Sequence, residues 1–242
     1  MKVLTDTLFL AAHTSRSVAY AQGIAGAGIA PGHTLLFGSP RAGLPGQTAG
    51  GSGSNSSAFS GVALPNLERT LEESVGGWPG DIESVPETDV NADSVVAAVA
   101  RICPMLVIYS GYGSQIVGRA LLAGGTPFLH CHCGLLPQFR GSTTLYYSWL
   151  ETGGCGVSAI ILGETIDTGP IVKTKRYLPP PPEVDPDHIY DCAIRADLLV
   201  EVLEEYAQSG NLEIEANQDP DAGTNYYVIH PLLKHVARCF GH

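Results

Sequence analysis

Basic side chains are scarce in this sequence. Among its 242 residues, 13 Lys and Arg stand against 24 Asp and Glu, which gives a formal net charge of -11 at pH 7. Such a charge repels the phosphate backbone of nucleic acids, and no local cluster of basic residues offsets it. The composition therefore predicts that the protein has no nucleic-acid partner.

Long apolar runs are also missing. No stretch reaches the roughly 18 uninterrupted apolar residues that a membrane-spanning helix needs. The apolar run at the N-terminus is broken by Asp6, which is typical of a first strand rather than of a secretory signal. We therefore expect a soluble protein without a membrane partner.

Cysteine is sparse and scattered. Of the six cysteines, Cys103, Cys155, Cys192 and Cys239 stand alone in apolar-looking surroundings. This usage favours a reducing compartment over a disulfide framework, so a cytoplasmic location is expected. The hydrophobic residues, 44% of the chain, suffice for one large core or two modest ones.

Apolar runs alternate with helical patterns along most of the chain. This alternation predicts an α/β fold with a central, mostly parallel sheet and helices on both faces. Strands are predicted at 7–12, 34–37, 105–109, 126–132, 155–162 and 171–177. Helices are predicted at 17–29, 115–123, 142–150 and 187–208, with another ending near 102 and capped by Asn91 or Asp93. Residues 226–240 suggest a strand followed by a short helix.

A segment rich in Gly, Ser and Pro occupies about 39–60. Such a composition buries too little apolar surface to offset its ordering entropy, which predicts a mobile loop.

Two histidines followed by a distant aspartate form the candidate site. His130 and His132 lie at the C-terminal end of a predicted strand, where open α/β sheets bind ligands. Because side chains alternate along a strand, both imidazoles point to the same face. Asp167 lies in a turn-like segment after the next strand, and its carboxylate could hydrogen-bond an imidazole and raise its basicity. This pattern is typical of general acid/base chemistry.

The residues around this site resemble the motif of the formyltransferase superfamily, which includes glycinamide ribonucleotide transformylase, methionyl-tRNA formyltransferase and sugar N-formyltransferases. That motif reads Asn-x-His-Pro-Ser-Leu-Leu-Pro, then Arg-Gly, and further along Asp-Thr-Gly-Pro. The matching positions are His132, Leu135-Leu136-Pro137, Arg140-Gly141 and Ile166-Asp167-Thr168-Gly169-Pro170. Residues 110–117 are similar to the strand and loop that border the family's pteridine pocket. The resemblance covers about 106–177 and weakens towards both ends.

The resemblance implies a Rossmann-like formyltransferase domain over residues 1–210, with 211–242 as a C-terminal extension packed on it. It implies transfer of a formyl group from 10-formyltetrahydrofolate to an amine, without a metal. His132 would stabilise the oxyanion, Asp167 would position His132 and move the proton, and His130 would assist. The other residues it implicates contact the cofactor or the substrate: Tyr112, Gln115, Ile116, Val117, Leu136, Gly163, Glu164 and Thr165 for the cofactor, and His13, Arg16 and Arg140 for the substrate.

The acceptor is expected to be a small-molecule amine, such as an amino sugar, an amino acid or an amine of specialised metabolism. The chain length leaves little room for the further C-terminal domain of methionyl-tRNA formyltransferases, and the negative charge disfavours tRNA. A homodimer is compatible with the sequence.

Three departures from the motif keep other functions open. His130 replaces the family's Asn, Cys133-Gly134 replaces Pro-Ser, and residues 13–17 replace a Gly-rich turn. A neutral imidazole can donate one N–H, though with a different reach from that of an amide. A formyltetrahydrofolate hydrolase and a non-catalytic folate- or metabolite-binding protein therefore stay as alternatives.

Zinc binding and thiol catalysis are less favoured. On a strand, His130 and His132 face away from Cys131 and Cys133, so the four side chains do not converge on one ion. No base is identified for a nucleophilic Cys133, and both cysteines are interpreted as buried thiols. His230 and His235 are interpreted as capping residues or as exposed surface residues rather than as catalytic ones.

Overall fold

The computed structural model describes residues 1–40, 58–219 and 221–240. The strands are β1 (Lys2–Ala12), β2 (Ile29–Phe37), β3 (Ala58–Phe59), β4 (Val62–Ala63), β5 (Asp81–Val85), β6 (Leu106–Ser110), β7 (Phe128–His132), β8 (Phe139–Gly141), β9 (Cys155–Ile161), β10 (Ile171–Tyr177) and β11 (Thr224–Tyr226). The α-helices are α1 (Ser15–Gly26), α2 (Leu71–Val75), α3 (Asp93–Ile102), α4 (Arg119–Leu122), α5 (Thr144–Thr152), α6 (Asp191–Ser209) and α7 (Pro231–Phe240), and a π-helical turn, Pro186–Tyr190, precedes α6.

The largest sheet in the described part of the chain has the strand order β10-β9-β7-β6-β1-β2-β5. Strands β7, β6, β1, β2 and β5 run parallel, whereas β9 is antiparallel to both β7 and β10. Parallel strands need crossover connections, which the helices supply. The expected α/β fold with a mostly parallel central sheet is confirmed.

Alternate residues of the strands enter different parts of the core. Phe9, Ile108 and Leu129 pack in a cluster with α1, α5 and α6. Tyr109 and Phe128 join a second cluster that includes side chains of α3 and α4. Because successive side chains of a strand point to opposite faces, the two clusters cover the two sides of the sheet. Strand β6 is buried throughout, as expected for a central parallel strand.

Helix α1 begins and ends earlier than the predicted 17–29. Thr14 caps it by accepting a hydrogen bond from the Ser17 amide (3.2 Å). Gly28 has φ +70°, a conformation that ends the helix, and Ile29 starts β2. Strand β2 is therefore longer than the predicted 34–37, and β1 begins at Lys2 rather than at Thr7.

The helix predicted at 115–123 was wrong over half its length, since α4 covers only Arg119–Leu122. The side chain of Asn91 explains the difference. Its Oδ1 accepts from the amide of Gly118 (2.6 Å) and its Nδ2 donates to the carbonyl of Ile116 (2.9 Å). These bonds hold the loop in an irregular path. The predicted capping role was wrong as well, because α3 follows Ala92 without a side-chain cap bond.

Later predicted elements differ from the structure mainly at their ends. Strand β7 starts at Phe128 instead of 126. Helix α5 begins and ends two residues later than the predicted helix 142–150. The predicted helix 187–208 is a π-helical turn followed by α6. Most of the loop predicted at 39–60 lies outside the described residues, but its end forms β3, which pairs with β4.

The segment after α6 contacts the rest of the molecule at several points. Strand β11 pairs in parallel with β8, and α7 packs against α5. Lys234 of α7 also forms an ion pair with Asp187 of the π-helical turn, with 2.6 Å between Nζ and Oδ2. The boundary at residue 210 stays a prediction.

Candidate active site

His132 is the last residue of β7 and is buried, with 4% of its surface exposed. Its Nε2 lies 2.7 Å from the carbonyl oxygen of Phe139. A carbonyl can only accept, so Nε2 carries the hydrogen and donates it. In the neutral imidazole, Nδ1 is therefore the basic atom.

Asp167 meets His132 at this nitrogen. Its Oδ2 lies 3.4 Å from His132 Nδ1 and accepts a hydrogen bond from the Gly141 amide (2.9 Å). The Asp167 side chain is 11% exposed, more than that of His132, so the pair is reached from the Asp167 side. Asp167 has φ +54°, in the left-handed region that Asp tolerates better than most residues. The sequence hypothesis required such a contact between 132 and 167.

Gly134 makes room for the His132 ring. A Cβ at this position would lie 2.6 Å from the Phe139 carbonyl oxygen and 2.8 Å from His132 Nε2. It would therefore press on both ends of the hydrogen bond that fixes the tautomer. The family's Ser at this position does not fit the present backbone.

Several charges act on the His132 ring. Burial lowers the pKa of His132 below its ordinary value, while the Asp167 carboxylate raises that pKa and the Arg195 guanidinium lowers it. Arg195, in α6, donates to the Cys131 carbonyl (2.6 Å) and pairs with Asp191 (Nε to Oδ2, 2.8 Å). Because the lowered pKa favours the neutral ring at neutral pH, Nδ1 is available as a base.

His130 lies two residues upstream, next to the ring of Tyr109 on β6, with 6.1 Å between ring centroids. Burial lowers the pKa of His130 well below its ordinary value, and the Arg16 and Arg195 guanidinium groups lower that pKa further. Among the described residues, neither Nδ1 of His130 nor the Tyr109 hydroxyl has a hydrogen-bond partner. The structure thus places a neutral His130 at the same sheet edge as His132.

The predicted cofactor residues lie on two loops, except for the buried Leu136. The first loop carries Tyr112, Gln115, Ile116 and Val117, and the second carries Gly163, Glu164 and Thr165. An ion pair between Arg119 Nη2 and Glu164 Oε2 (3.1 Å) joins the region after the first loop to the second. Leu136 is buried, and its amide donates to the Ser158 hydroxyl (3.0 Å).

Individual side chains of the first loop differ in their surroundings. Tyr112 packs edge-on against Phe37 (5.7 Å between centroids), and Gln115 Nε2 donates to the Thr88 carbonyl (2.8 Å). Ile116 is exposed, whereas Val117 is buried. Ile116 therefore presents apolar surface to solvent at this edge.

The three predicted substrate residues already have partners within the protein. His13 Nδ1 lies 3.4 Å from Glu72 Oε1, and burial lowers the pKa of His13. Arg16 donates to the Gly111 carbonyl and to the Ser110 hydroxyl. Arg140 is buried and donates to the Asp219 carbonyl (2.8 Å). Substrate contacts by these three side chains stay predictions.

Sequence reasoning missed three residues near the pair: Arg195, Asp191 and Gln218. A signal existed for the first two, since Arg195 interrupts the apolar stripe of the α6 pattern and Asp191 precedes it by one helical turn. Gln218 Nε2 donates to the carbonyl of Asp167 (3.0 Å). No local pattern marks Gln218, because its partner lies on a distant loop.

Two cavities lie away from the His132–Asp167 pair. The larger, about 320 Å³, is lined by side chains such as Phe59, Tyr177 and Tyr190. The smaller, about 220 Å³, lies beside the end of α6. Neither His132 nor Asp167 lines either cavity.

Within residues 1–40, 58–219 and 221–240, no helix has the length and apolarity to cross a membrane. The same residues contain no group of three or more His, Cys, Asp or Glu side chains that could hold a metal ion.

The fold is shared with solved formyltransferases. A sugar N-formyltransferase from a Shewanella species is similar with a TM-score of 0.56 and 15% identity, over 97% of this chain and 87% of that chain. Phosphoribosylglycinamide formyltransferase from Streptococcus pneumoniae has a TM-score of 0.53 and 16% identity, over 87% of this chain and 98% of that chain. At such identities the likeness establishes the fold.

Curated sequence relatives are methionyl-tRNA formyltransferases. That of Chloroflexus aurantiacus is 34% identical over 133 residues, which are 53% of this chain and 41% of the relative. That of Sulfurimonas denitrificans is 31% identical over 123 residues, 47% of this chain and 37% of the relative. The chain thus spans less than half the length of these relatives, and no family model matches it. These relatives and these solved structures are formyltransferases, and the sequence likeness extends over about half of this chain.

Proposed function

We propose that this protein transfers a formyl group from 10-formyltetrahydrofolate to an amine of a small molecule, with His132 and Asp167 as the catalytic pair. The observation that carries the proposal is the contact between them, 3.4 Å from Nδ1 to Oδ2, at the C-terminal edge of the sheet. The sequence relatives are named for methionyl-tRNA as the acceptor. Because they are matched over less than half of their length, that acceptor is not carried over to this chain.

The residues at this edge fit a formyl-folate. Buried polar atoms that lack a partner among the described residues include His130 Nδ1, the Tyr109 hydroxyl and Gln115 Oε1. A bound polar heterocycle would satisfy such atoms, which are costly to leave unpaired. The exposed side chains of Ile116 and Ile166 offer apolar contact beside them. The residues proposed to hold the formyl-folate are Tyr112, Gln115, Ile116, Val117, Leu136, Gly163, Glu164 and Thr165.

When bound, a formyl-folate supplies an electrophilic formyl carbon. His132 Nδ1 takes up the proton that the attacking amine loses, because Nε2 is committed to the Phe139 carbonyl. Asp167 Oδ2 then faces the new N–H of the imidazolium and stabilises its charge. The protonated ring favours the negative charge that develops near it and then gives its proton to the departing nitrogen, so that the ring is neutral again. His130 presents its unpartnered Nδ1 at the same edge.

A small acceptor fits the electrostatics better than tRNA does. The net charge of -11 opposes a polyanion. His13 and Arg16 follow the end of β1 at the same edge of the sheet, and we propose that they contact the acceptor. All six cysteines are free thiols, which supports a cytoplasmic location.

Incubation with 10-formyltetrahydrofolate and a panel of amino sugars and amino acids tests the proposal. Release of tetrahydrofolate and a mass gain of one formyl group on the amine are the readouts. H132Q and D167N are each expected to lower kcat at least ~100-fold, the usual contribution of acid/base catalysis. H235A, an exposed histidine on α7, is the matched control and should keep wild-type rates.

Two outcomes would contradict the proposal. Formate release that is independent of any amine would indicate a hydrolase. Folate binding without turnover across the whole panel would indicate a binding protein.

A further inference from the structure

The chain returns to the active-site edge after α6. Ile171, the first residue of β10, donates its amide to the Ala216 carbonyl (2.8 Å), and its carbonyl accepts from the Glu215 amide (2.8 Å). This antiparallel bridge fixes residues 215–216 just beyond the turn that carries Asp167. Gln218 therefore arrives beside that turn.

Gln218 holds the turn by two hydrogen bonds. Its Nε2 donates to the carbonyl of Asp167 (3.0 Å) and to that of Gly169 (2.7 Å). Asp167 adopts a left-handed backbone conformation, φ +54°, which costs a non-glycine residue free energy and persists where the surroundings enforce it. The two bonds supply that constraint.

Arg140 fixes the orientation of the Gln218 amide. Its Nη2 donates to Gln218 Oε1 (3.3 Å) and to the Asp219 carbonyl (2.8 Å). A guanidinium only donates, so the amide oxygen must face Arg140 and the amide nitrogen must face the two carbonyls. The invariably charged Arg140 thus locks the donor side of Gln218 onto the Asp167 turn.

The same segment also supports the other partner of the pair. Strand β11 pairs with β8 in the register Thr224–Phe139 and Tyr226–Gly141. The Phe139 carbonyl accepts from His132, and the Gly141 amide donates to Asp167. Strand β11 therefore braces both backbone groups that orient the pair.

We propose that Gln218 is a positioning residue for Asp167, and that Gln218 and β11 complete the active site from outside the predicted catalytic domain. This inference rests on the proposed function for its kinetic test. The effect of Gln218 on the pKa of His132, through the position of Asp167, does not depend on that function.

The kinetic test compares the variants Q218A and Q218E in the full chain. Glu keeps an acceptor for Arg140 but turns a carboxylate oxygen towards two carbonyls, so both donor bonds are lost. Each variant is expected to lower kcat about 10- to 100-fold, since a misplacement of about 1 Å has effects of that order. KM for the amine should change little, because Gln218 contacts neither His13 nor Arg16, the two side chains proposed to contact the acceptor. N217A, at the exposed neighbouring position, should match the wild type.

The second test follows the protonation of the His132 ring by NMR. The charged and titratable groups that face this ring are Asp167, Arg195, Asp191 and His130. Asp167 raises the pKa of His132, so a carboxylate released from its position should leave that pKa lower than in the wild type. Q218A should shift it in the same direction as D167N, while N217A should not shift it.

The outcomes separate the two proposals. A wild type that transfers no formyl group contradicts the proposed function, while the His132 titration still tests Gln218. Folded Q218A with unchanged kcat and an unchanged His132 titration overturns the role of Gln218. If Q218A melts below the assay temperature, the near-isosteric Q218E decides by the same two readouts.

Discussion

The tautomer of His132 is set by one backbone carbonyl. Because Phe139 accepts from Nε2, basicity is confined to Nδ1, the atom that faces Asp167. Arg195 and Asp191 lie behind this arrangement as a partly buried ion pair. The Phe139 carbonyl thus determines which ring nitrogen of His132 can accept a proton.

Gly134 offers a prediction at the scale of one residue. G134A should lower the free energy of unfolding by about 1–3 kcal/mol, because the added Cβ overpacks against the Phe139 carbonyl and the His132 ring. It should also reduce formyl transfer by displacing the ring. Urea unfolding and the kinetic assay measure the two effects.

The matched control is G77A, since a Cβ at Gly77 would meet nothing within 4 Å. Equal stability of G134A and G77A would show that the loop after β7 adjusts without cost.

The elements around the His132–Asp167 pair contact one another through loops and through the small β8–β11 sheet, rather than through strand pairing in the main sheet. The pair depends on β8 and on the turn after β9, and β8 is paired with β11 near the C-terminal end of the described chain. Helix α7 follows β11 and packs on α5, which starts shortly after β8. Displacement of α7 is therefore expected to loosen the site.

Lys234 tests the docking of α7. Its Nζ pairs with Asp187 Oδ2 and lies 5.0 Å from the centre of the Tyr146 ring. The pair is about one-third exposed, so K234M should cost only about 1 kcal/mol of unfolding free energy. Hydrogen exchange should accelerate mainly in α7 and β11. H235A is the control on the same helix, and uniform acceleration across the central sheet would contradict local docking.

The whole molecule carries one dominant electrostatic property, its negative charge of -11. A field of this sign keeps polyanions away and tolerates small acceptors. Under the proposed function, the charge would influence the choice of acceptor, and the pair would carry out the chemistry.

Titration of the protein with tRNA checks this property. In about 50 mM salt we expect binding weaker than the ~10⁻⁴ M dissociation constant at the weak end of nonspecific binding. Fluorescence anisotropy with labelled tRNA is a suitable measurement. Tight binding that weakens steeply with added salt would show a local basic surface and would reopen a tRNA acceptor.

The sequence by itself predicted the layered α/β fold, which the structure confirms, and it marked the two residues of the proposed catalytic pair. Apolar runs and their periods are local features, and they marked β6, β7, β9 and α6 to within a few residues. The motif around His132 and Asp167 was also readable, because both positions lie in short segments of characteristic composition.

Only the tertiary structure decided how these residues are held. Within the predicted helix 115–123, only Arg119–Leu122 are helical, because Asn91, from another part of the chain, holds the preceding residues in a loop. Gln218 and Arg195 act on the pair from beyond residue 190, and His132 obtains its tautomer from Phe139 on β8. Such contacts join atoms that are distant in the sequence, so neither local propensity nor hydrophobic period encodes them. They exist because folding of the chain brings the strand ends, β8, Gln218 and β11 to one edge of the sheet.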